Sequence, residues 1–129
     1  MKIEHLAIWV YDLELMKAFY SKYFDMAAGE KYTNTAKQFS SYFLRFGGDS
    51  TRLELMHKPG LPPATGRTGD QLGITHFAVS VGNKEKVDAL TEQLRKDGFP
   101  IFGEPRTTGD GYYESVILDP EGNHIEITI

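Results

Sequence analysis

The chain is written twice, and this constrains its fold more than any other feature. Laying Ile3 on Ile74 also lays His5 on His76, Ala7 on Ala78 and Val10 on Val81, so that IEHLAIWV returns as ITHFAVSV. Farther on, RLEL at 52–55 returns as HIEI at 124–127 at almost the same separation. Repetition at a fixed period marks a structural unit used more than once. Both pairs alternate apolar and polar residues with a period of two, the pattern of half-buried strands. Each half also reaches its last strand through a turn. GGDS follows SSYFLRF in the first half, DPEGN follows YYESVIL in the second, and both are hairpin chemistry.

A helical segment separates the first strand from the hairpin in each half. Asp12 is placed to cap LELMKAFYSKYF, where Leu15, Phe19 and Tyr23 recur at helical spacing beside Met16 and Tyr20. The second helix is expected from about Lys84 to Asp97, with Val87, Leu90 and Leu94 on one side and Gly98 as its stop. Weaker strands are expected at 31–33 and 100–103. Each half then reads β-α-β-β-β, and the class is α+β. A length of 129 residues fits one domain of two tandem modules, about 1–57 and 73–129. The segment 58–72, dense in Pro and Gly, is expected to link them.

Charge and composition remove several classes of function. A net charge of −4 gives no electrostatic reason to expect nucleic acid or an anionic membrane as a partner. The absence of cysteine removes disulfides, thiolate nucleophiles and thiolate zinc sites. Glu4, His5, Asp12 and Glu14 interrupt any apolar stretch near the start, so no signal peptide or membrane span is expected there, and a cytoplasmic location is the default.

Strand parity turns the repeat into a chemical expectation. Leu6, Ile8 and Val10 share one face of the first strand, and His5, Ala7 and Trp9 share the other. The same rule opposes Leu53 and Leu55 to Arg52, Glu54 and Met56; Phe77, Val79 and Val81 to His76; and Ile125, Ile127 and Ile129 to Glu126. His5, Glu54, His76 and Glu126 thus occupy equivalent positions on the faces turned from the helices. Two imidazoles and two carboxylates suit a borderline divalent ion such as zinc, nickel, cobalt, iron or manganese, and their two negative charges match its two positive ones. His57 and His124 have no counterpart in the other repeat and stand outside this set.

These residues give the whole chain a resemblance to the vicinal oxygen chelate superfamily of glyoxalases, bleomycin-resistance proteins and extradiol dioxygenases. The motifs are the His in IEHLAIWV, the Glu in LELM, the His in ITHFAVSV and the last Glu in DPEGNHIEI. Within the superfamily the His, Glu, His, Glu set is similar to that of glyoxalase I (lactoylglutathione lyase). The resemblance implies two βαβββ modules forming a cupped, partly open mixed sheet with helices outside, one divalent ion per site, and often a homodimer. It also implies an activity: a lyase or isomerase acting on a small α-hydroxycarbonyl or hemithioacetal through an enediolate, with Glu126 as base and Glu54 as the second candidate. Another metalloenzyme of the superfamily, an epimerase or dioxygenase, and a non-catalytic binding or resistance protein are the alternatives.

Two positions depart from the glutathione-using pattern. Those enzymes tend to carry a basic residue shortly after the first ligand His and an Asn shortly after the first ligand Glu; here Trp9 and Lys58 stand near those places. By parity Trp9 shares the face of His5, where an indole favours an apolar or aromatic group. Lys58 and Arg45, with Arg52 and Arg106, are the candidate anion contacts. TTGDGYYES, rich in Gly and Tyr, could form a lip over the site or an ordinary loop leading into a strand.

Overall fold

A computed structural model describes residues 1–48, 50–62 and 72–129. The chain divides into two compact units, Met1–Pro63 and Ala64–Ile129. The first contains β1 (His5–Trp9), α1 (Leu13–Phe24), β2 (Ala27–Ala28), β3 (Tyr32–Asn34), β4 (Phe39–Arg45) and β5 (Arg52–His57). The second contains β6 (Phe77–Ser80), α2 (Lys84–Lys96), β7 (Ile101–Thr107), β8 (Tyr113–Leu118) and β9 (His124–Thr128). The α+β plan is present, with βαβββ in the second unit and the same order plus the two-residue β2 in the first. Most of the expected linker, at 63–71, and Asp49 of the GGDS turn lie outside the described residues.

The two sheets repeat one design. In the first unit the order is β1-β5-β4-β2, with β3 also on β4; in the second it is β6-β9-β8-β7. The first and last strands of each unit pair in parallel and the remaining pairs are antiparallel, so both sheets are mixed. A parallel pair needs a crossover between its strands, and α1 and α2 lie in those crossovers. Each helix packs on one face of its own sheet.

Capping fixes where the helices begin and end. The Asp12 carboxylate accepts from the backbone N–H groups of Glu14 and Leu15 at 3.0 and 2.9 Å, and the Asn83 side chain accepts from that of Lys86 at 2.9 Å. Gly98, at φ +89°, takes the left-handed turn that ends α2, and the Phe99 N–H reaches back to the Leu94 carbonyl. The buried stripe of α1 is Leu13, Met16, Phe19, Tyr20 and Phe24, not the expected line through Leu15 and Tyr23. Leu15 is 48% exposed. Leu13 and Phe24, at the two ends of the helix, rotate the stripe by one position. In α2 the buried residues are Val87, Thr91 and Leu94, with Leu90 half-buried. The Thr91 hydroxyl donates to the Val87 carbonyl at 2.7 Å and lies 2.7 Å from the Ser115 hydroxyl, so a polar pair is satisfied inside the core.

Several strands differ from their expected extents. β1 and β6 start at His5 and Phe77, because the parallel ladders begin at the pairs His5 with Arg52 and Phe77 with Ile125. Ile3 and Ile74 remain exposed, as does Ile129 past the end of β9. β7 runs through Pro105 to Thr107, well beyond the expected 100–103. Proline survives there because β7 is an edge strand whose register slips between Gly103 and Arg106. TTGDGYYES is no loose lip: Thr107 ends β7, the Thr108 N–H bonds the Tyr112 carbonyl at 2.8 Å, and Tyr113 begins β8. DPEGN closes the next hairpin as expected, with the Asp119 carboxylate accepting from the backbone N–H groups of Glu121 and Asn123.

Glu14, in the first turn of α1, ties the helix to β4 and to the strand leader before β3. Its carboxylate accepts from the Tyr42 hydroxyl at 2.9 Å and from Lys31 at 3.1 Å, and it pairs with Lys17. Lys17, followed by Tyr42 and Lys31, holds its pKa down to about 2 from an ordinary 4.5. A depressed carboxylate adds stability above its unfolded pKa and loses it as pH falls through the folded one.

Two outcomes are expected in denaturant unfolding. Met16→Ala should cost about 2–5 kcal/mol, the range for a buried apolar side chain, whereas Leu15→Ala should cost under about 1 kcal/mol. The stability gap between the native chain and Glu14→Gln should be fully open above pH 4.5 and close as pH falls toward about 2. A gap unchanged over that window would mean that Glu14 is not an ionised anchor.

Candidate functional site

Register brings the expected ligands of each unit together. In the first, Ala7 of β1 lies directly opposite Glu54 of β5. Side chains alternate, so His5, two residues before Ala7, shares the face of Glu54. Its Nε2 stands 3.8 Å from the nearer Glu54 carboxylate oxygen. The second unit repeats this arrangement. Ala78 of β6 is opposite Glu126 of β9, and Nε2 of His76, just ahead of β6, is 3.3 Å from a Glu126 oxygen.

The two pairs have different surroundings. Phe43 of β4 flanks Glu54 and meets the His5 ring edge-on, with centroids 5.4 Å apart. The Arg52 guanidinium lies 4.0 Å over that Phe43 ring. Glu4 bridges the group: one carboxylate oxygen is 2.5 Å from Nδ1 of His5, and the other is 2.5 Å from an Arg52 nitrogen. In the second unit Val116 of β8 flanks Glu126, and Glu114, two residues earlier on the same face of β8, approaches the Glu126 carboxyl. Burial, followed by the negative charge of Glu114, pushes the Glu126 carboxyl above its ordinary 4.5, against the pull of His76. Arg106 faces Glu114 at 3.6 Å.

The donor pairs fit a divalent ion. With bonds of about 2.1 Å to nitrogen and oxygen, neighbouring ligands of one ion stand about 3 Å apart. The separations of 3.3 and 3.8 Å are near that value. Each unit therefore offers one imidazole nitrogen and one carboxylate oxygen as a two-donor set. Among the described residues, no group of three or more His, Asp or Glu side chains gathers as a ready-made metal cluster.

The remaining candidates divide between the site faces and other roles. Trp9 shares the face of His5, is 44% exposed, and meets Phe39 edge-on at 6.0 Å; Tyr32 lies 6.1 Å beyond Phe39. Arg45 ends β4 on the face of Phe43, and Lys58 is exposed just past β5. Arg52 and Arg106 each face a carboxylate, Glu4 at 2.5 Å and Glu114 at 3.6 Å. Nδ1 of His57 donates to the Val10 carbonyl at 3.0 Å, and His124 is buried against Phe102, with ring centroids 4.3 Å apart. Sequence reasoning passed over Glu4, Phe43 and Glu114. Glu4 precedes a candidate ligand, and Glu114 lies on the parity of Val116, so both carried a local signal. The partner of each was fixed only by strand pairing.

A model of the Glyoxalase/Bleomycin resistance protein/Dioxygenase superfamily matches residues 2–127. Lactoylglutathione lyase GLX1 of Arabidopsis thaliana is 29% identical over 126 residues, which are 95% of this chain and 42% of that protein. The chain therefore spans less than half the length of this relative. The trypanothione-dependent glyoxalase I of Leishmania major superposes with a TM-score of 0.79 at 26% identity, covering 99% of this chain and 86% of that one. Glyoxalase I from Zea mays superposes with a TM-score of 0.79 at 24% identity, covering 98% and 44%, and at that identity shows a shared fold. No helix among the described residues is long and apolar enough to cross a membrane.

The carboxyl of Glu126 is open to direct titration. In metal-free protein its carbon-13 resonance should titrate above 4.5, and Glu114→Gln should bring the midpoint down toward the ordinary value by removing the neighbouring charge. A midpoint at or below 4.5 in the native chain would remove the basis for a strengthened base at this position.

Proposed function

Because the chain belongs to the Glyoxalase/Bleomycin resistance protein/Dioxygenase superfamily, we propose that it is a divalent-metal-dependent lyase or isomerase of the glyoxalase I type. Its substrate is a small α-hydroxycarbonyl compound or hemithioacetal. The observation that carries this reading is that one register, alanine opposite glutamate, sets a His beside a Glu in each unit. In the proposed site His5, Glu54, His76 and Glu126 hold one ion, zinc or nickel first, with cobalt, iron or manganese as the others. The two pairs come from one chain or from two copies in a homodimer. A cytoplasmic location fits the same reading.

An ion bound there would supply positive charge beside two adjacent substrate oxygens, easing loss of a proton from the hydroxyl-bearing carbon next to the carbonyl. The protein's own groups do the rest. Glu126 takes that proton on a carboxylate oxygen and returns it to the neighbouring carbon, while the hydroxyl proton passes to the former carbonyl oxygen, so the overall oxidation state of the substrate is unchanged. The raised proton affinity of Glu126, which partial burial and the neighbouring Glu114 charge produce, suits it to this role. Glu54 is the second candidate for this role. His5 and His76 stay neutral and hold position. Trp9 offers the apolar part of the substrate a flat surface, and Arg45 and Lys58 are the cations placed for an anionic substituent.

Two measurements test the reading together. Elemental analysis of untagged protein should find about one divalent metal ion per site, lost in a His5→Ala, His76→Ala double variant. Glu126→Gln should keep the ion and lower turnover of a panel of hemithioacetals and α-hydroxycarbonyl compounds by about 10²–10⁴-fold. Protein that takes up no ion would turn the assignment to a non-catalytic binding protein of the same fold. Unchanged turnover in Glu126→Gln would move the base role to Glu54.

A further inference from the structure

The two histidines are equivalent in the repeat but are not supported alike. His5 follows Glu4, whose carboxylate spans Nδ1 of His5 and the Arg52 guanidinium at 2.5 Å each. The Glu4 carbonyl also accepts from the Arg52 N–H at 3.0 Å, and the Thr51 hydroxyl donates to the Ile3 carbonyl at 2.9 Å. The segment leading into β1 is thus pinned to the start of β5 by backbone and side chains together. His76 follows Thr75, which carries no carboxylate.

A carboxylate can only accept. The Nδ1 of His5 therefore carries the proton in the neutral ring, and the lone pair is left on Nε2, the atom that faces Glu54 at 3.8 Å. Free imidazole side chains have no such bias imposed on them. Partners of this kind fix both ring orientation and tautomer and raise the basicity of the coordinating nitrogen. Arg52 keeps the arrangement in place, since it holds the second carboxylate oxygen while its guanidinium carbon sits 4.0 Å over Phe43, the ring that also meets His5 edge-on.

We infer that Glu4 is a positioning residue for metal capture, holding His5 in the Nε2-coordinating tautomer with Arg52 as its anchor. The first unit is then the preorganised half of the centre, and His76 is the half that adjusts. The inference rests on the reading of His5 and His76 as ligands of one ion, and it concerns a residue outside that ligand set.

The test measures binding, not turnover. Zinc and cobalt(II) are titrated into the chelator-stripped full chain in competition with a chromophoric chelator, for the native sequence, Glu4→Ala, Glu4→Gln, Thr75→Ala and His5→Ala. Glu4→Ala should raise Kd by about 10–100-fold, Glu4→Gln by less because its amide oxygen still accepts, and Thr75→Ala by under about 3-fold. Nitrogen-15 spectra of metal-free protein give a second readout. His5 should show a protonated Nδ1 and a bare Nε2 in the native chain, and a mixture of tautomers in Glu4→Ala. Circular dichroism establishes that each variant is folded. Equal affinity in the native chain and folded Glu4→Ala would overturn this inference alone, as would weaker binding with an unaltered His5 tautomer. A native chain that binds neither ion, with His5→Ala indistinguishable from it, would overturn the ligand reading as well.

Discussion

The parallel pairing between the first and last strand of each unit is the constraint on which the rest depends. It is made by strands far apart in sequence, and it can form only because a helix carries the chain back across the sheet between them. Once the register is set, the consequences are forced. Ala7 falls opposite Glu54 and Ala78 opposite Glu126, the aliphatic rows turn toward the helices, and a histidine two residues upstream leans over each carboxylate. A slip of one residue would send both glutamates into the apolar core, where an unpaired carboxylate is costly. The burial of Leu53, Leu55, Ile125 and Ile127 therefore holds the chemistry of the opposite face in place.

Most of this was legible in the sequence, because the repeat and the alternation of residues carry it. Parity alone placed His5 with Glu54 and His76 with Glu126, and Asp12 and Gly98 bounded the helices as local capping chemistry predicts. What escaped was set by tertiary pairing. The inward stripe of α1 follows Leu13 and Phe24, residues at the helix ends whose direction no periodicity count decides. β7 reads as a loop beyond Gly103 because Pro105 is a poor strand former; only its place at the sheet edge makes it acceptable. Glu4 and Glu114 have partners that local sequence does not specify, since these come from β5 and from the pairing of β8 with β9.

The repeats share the ligand-capable residues and differ around them. Beside Glu54 stands Phe43, with an arginine stacked on it; beside Glu126 stands Val116, with a second carboxylate two residues away. The first environment surrounds its carboxylate with aromatic and cationic groups. The second crowds negative charge around Glu126 and raises its affinity for protons. The two carboxylates thus sit in different electrostatic surroundings, although the ligand-capable residues are the same in both halves.

Pro105 also bears on what this surface does in a crowded solution. An exposed strand edge offers a ladder of unused N–H and C=O groups on which a foreign strand can grow. Along β7 the ladder is broken by a residue with no N–H to donate, and the two register slips between Ile101 and Arg106 bend the backbone away from a flat template. The outer margin of the second sheet is therefore a poor seed for edge-to-edge aggregation.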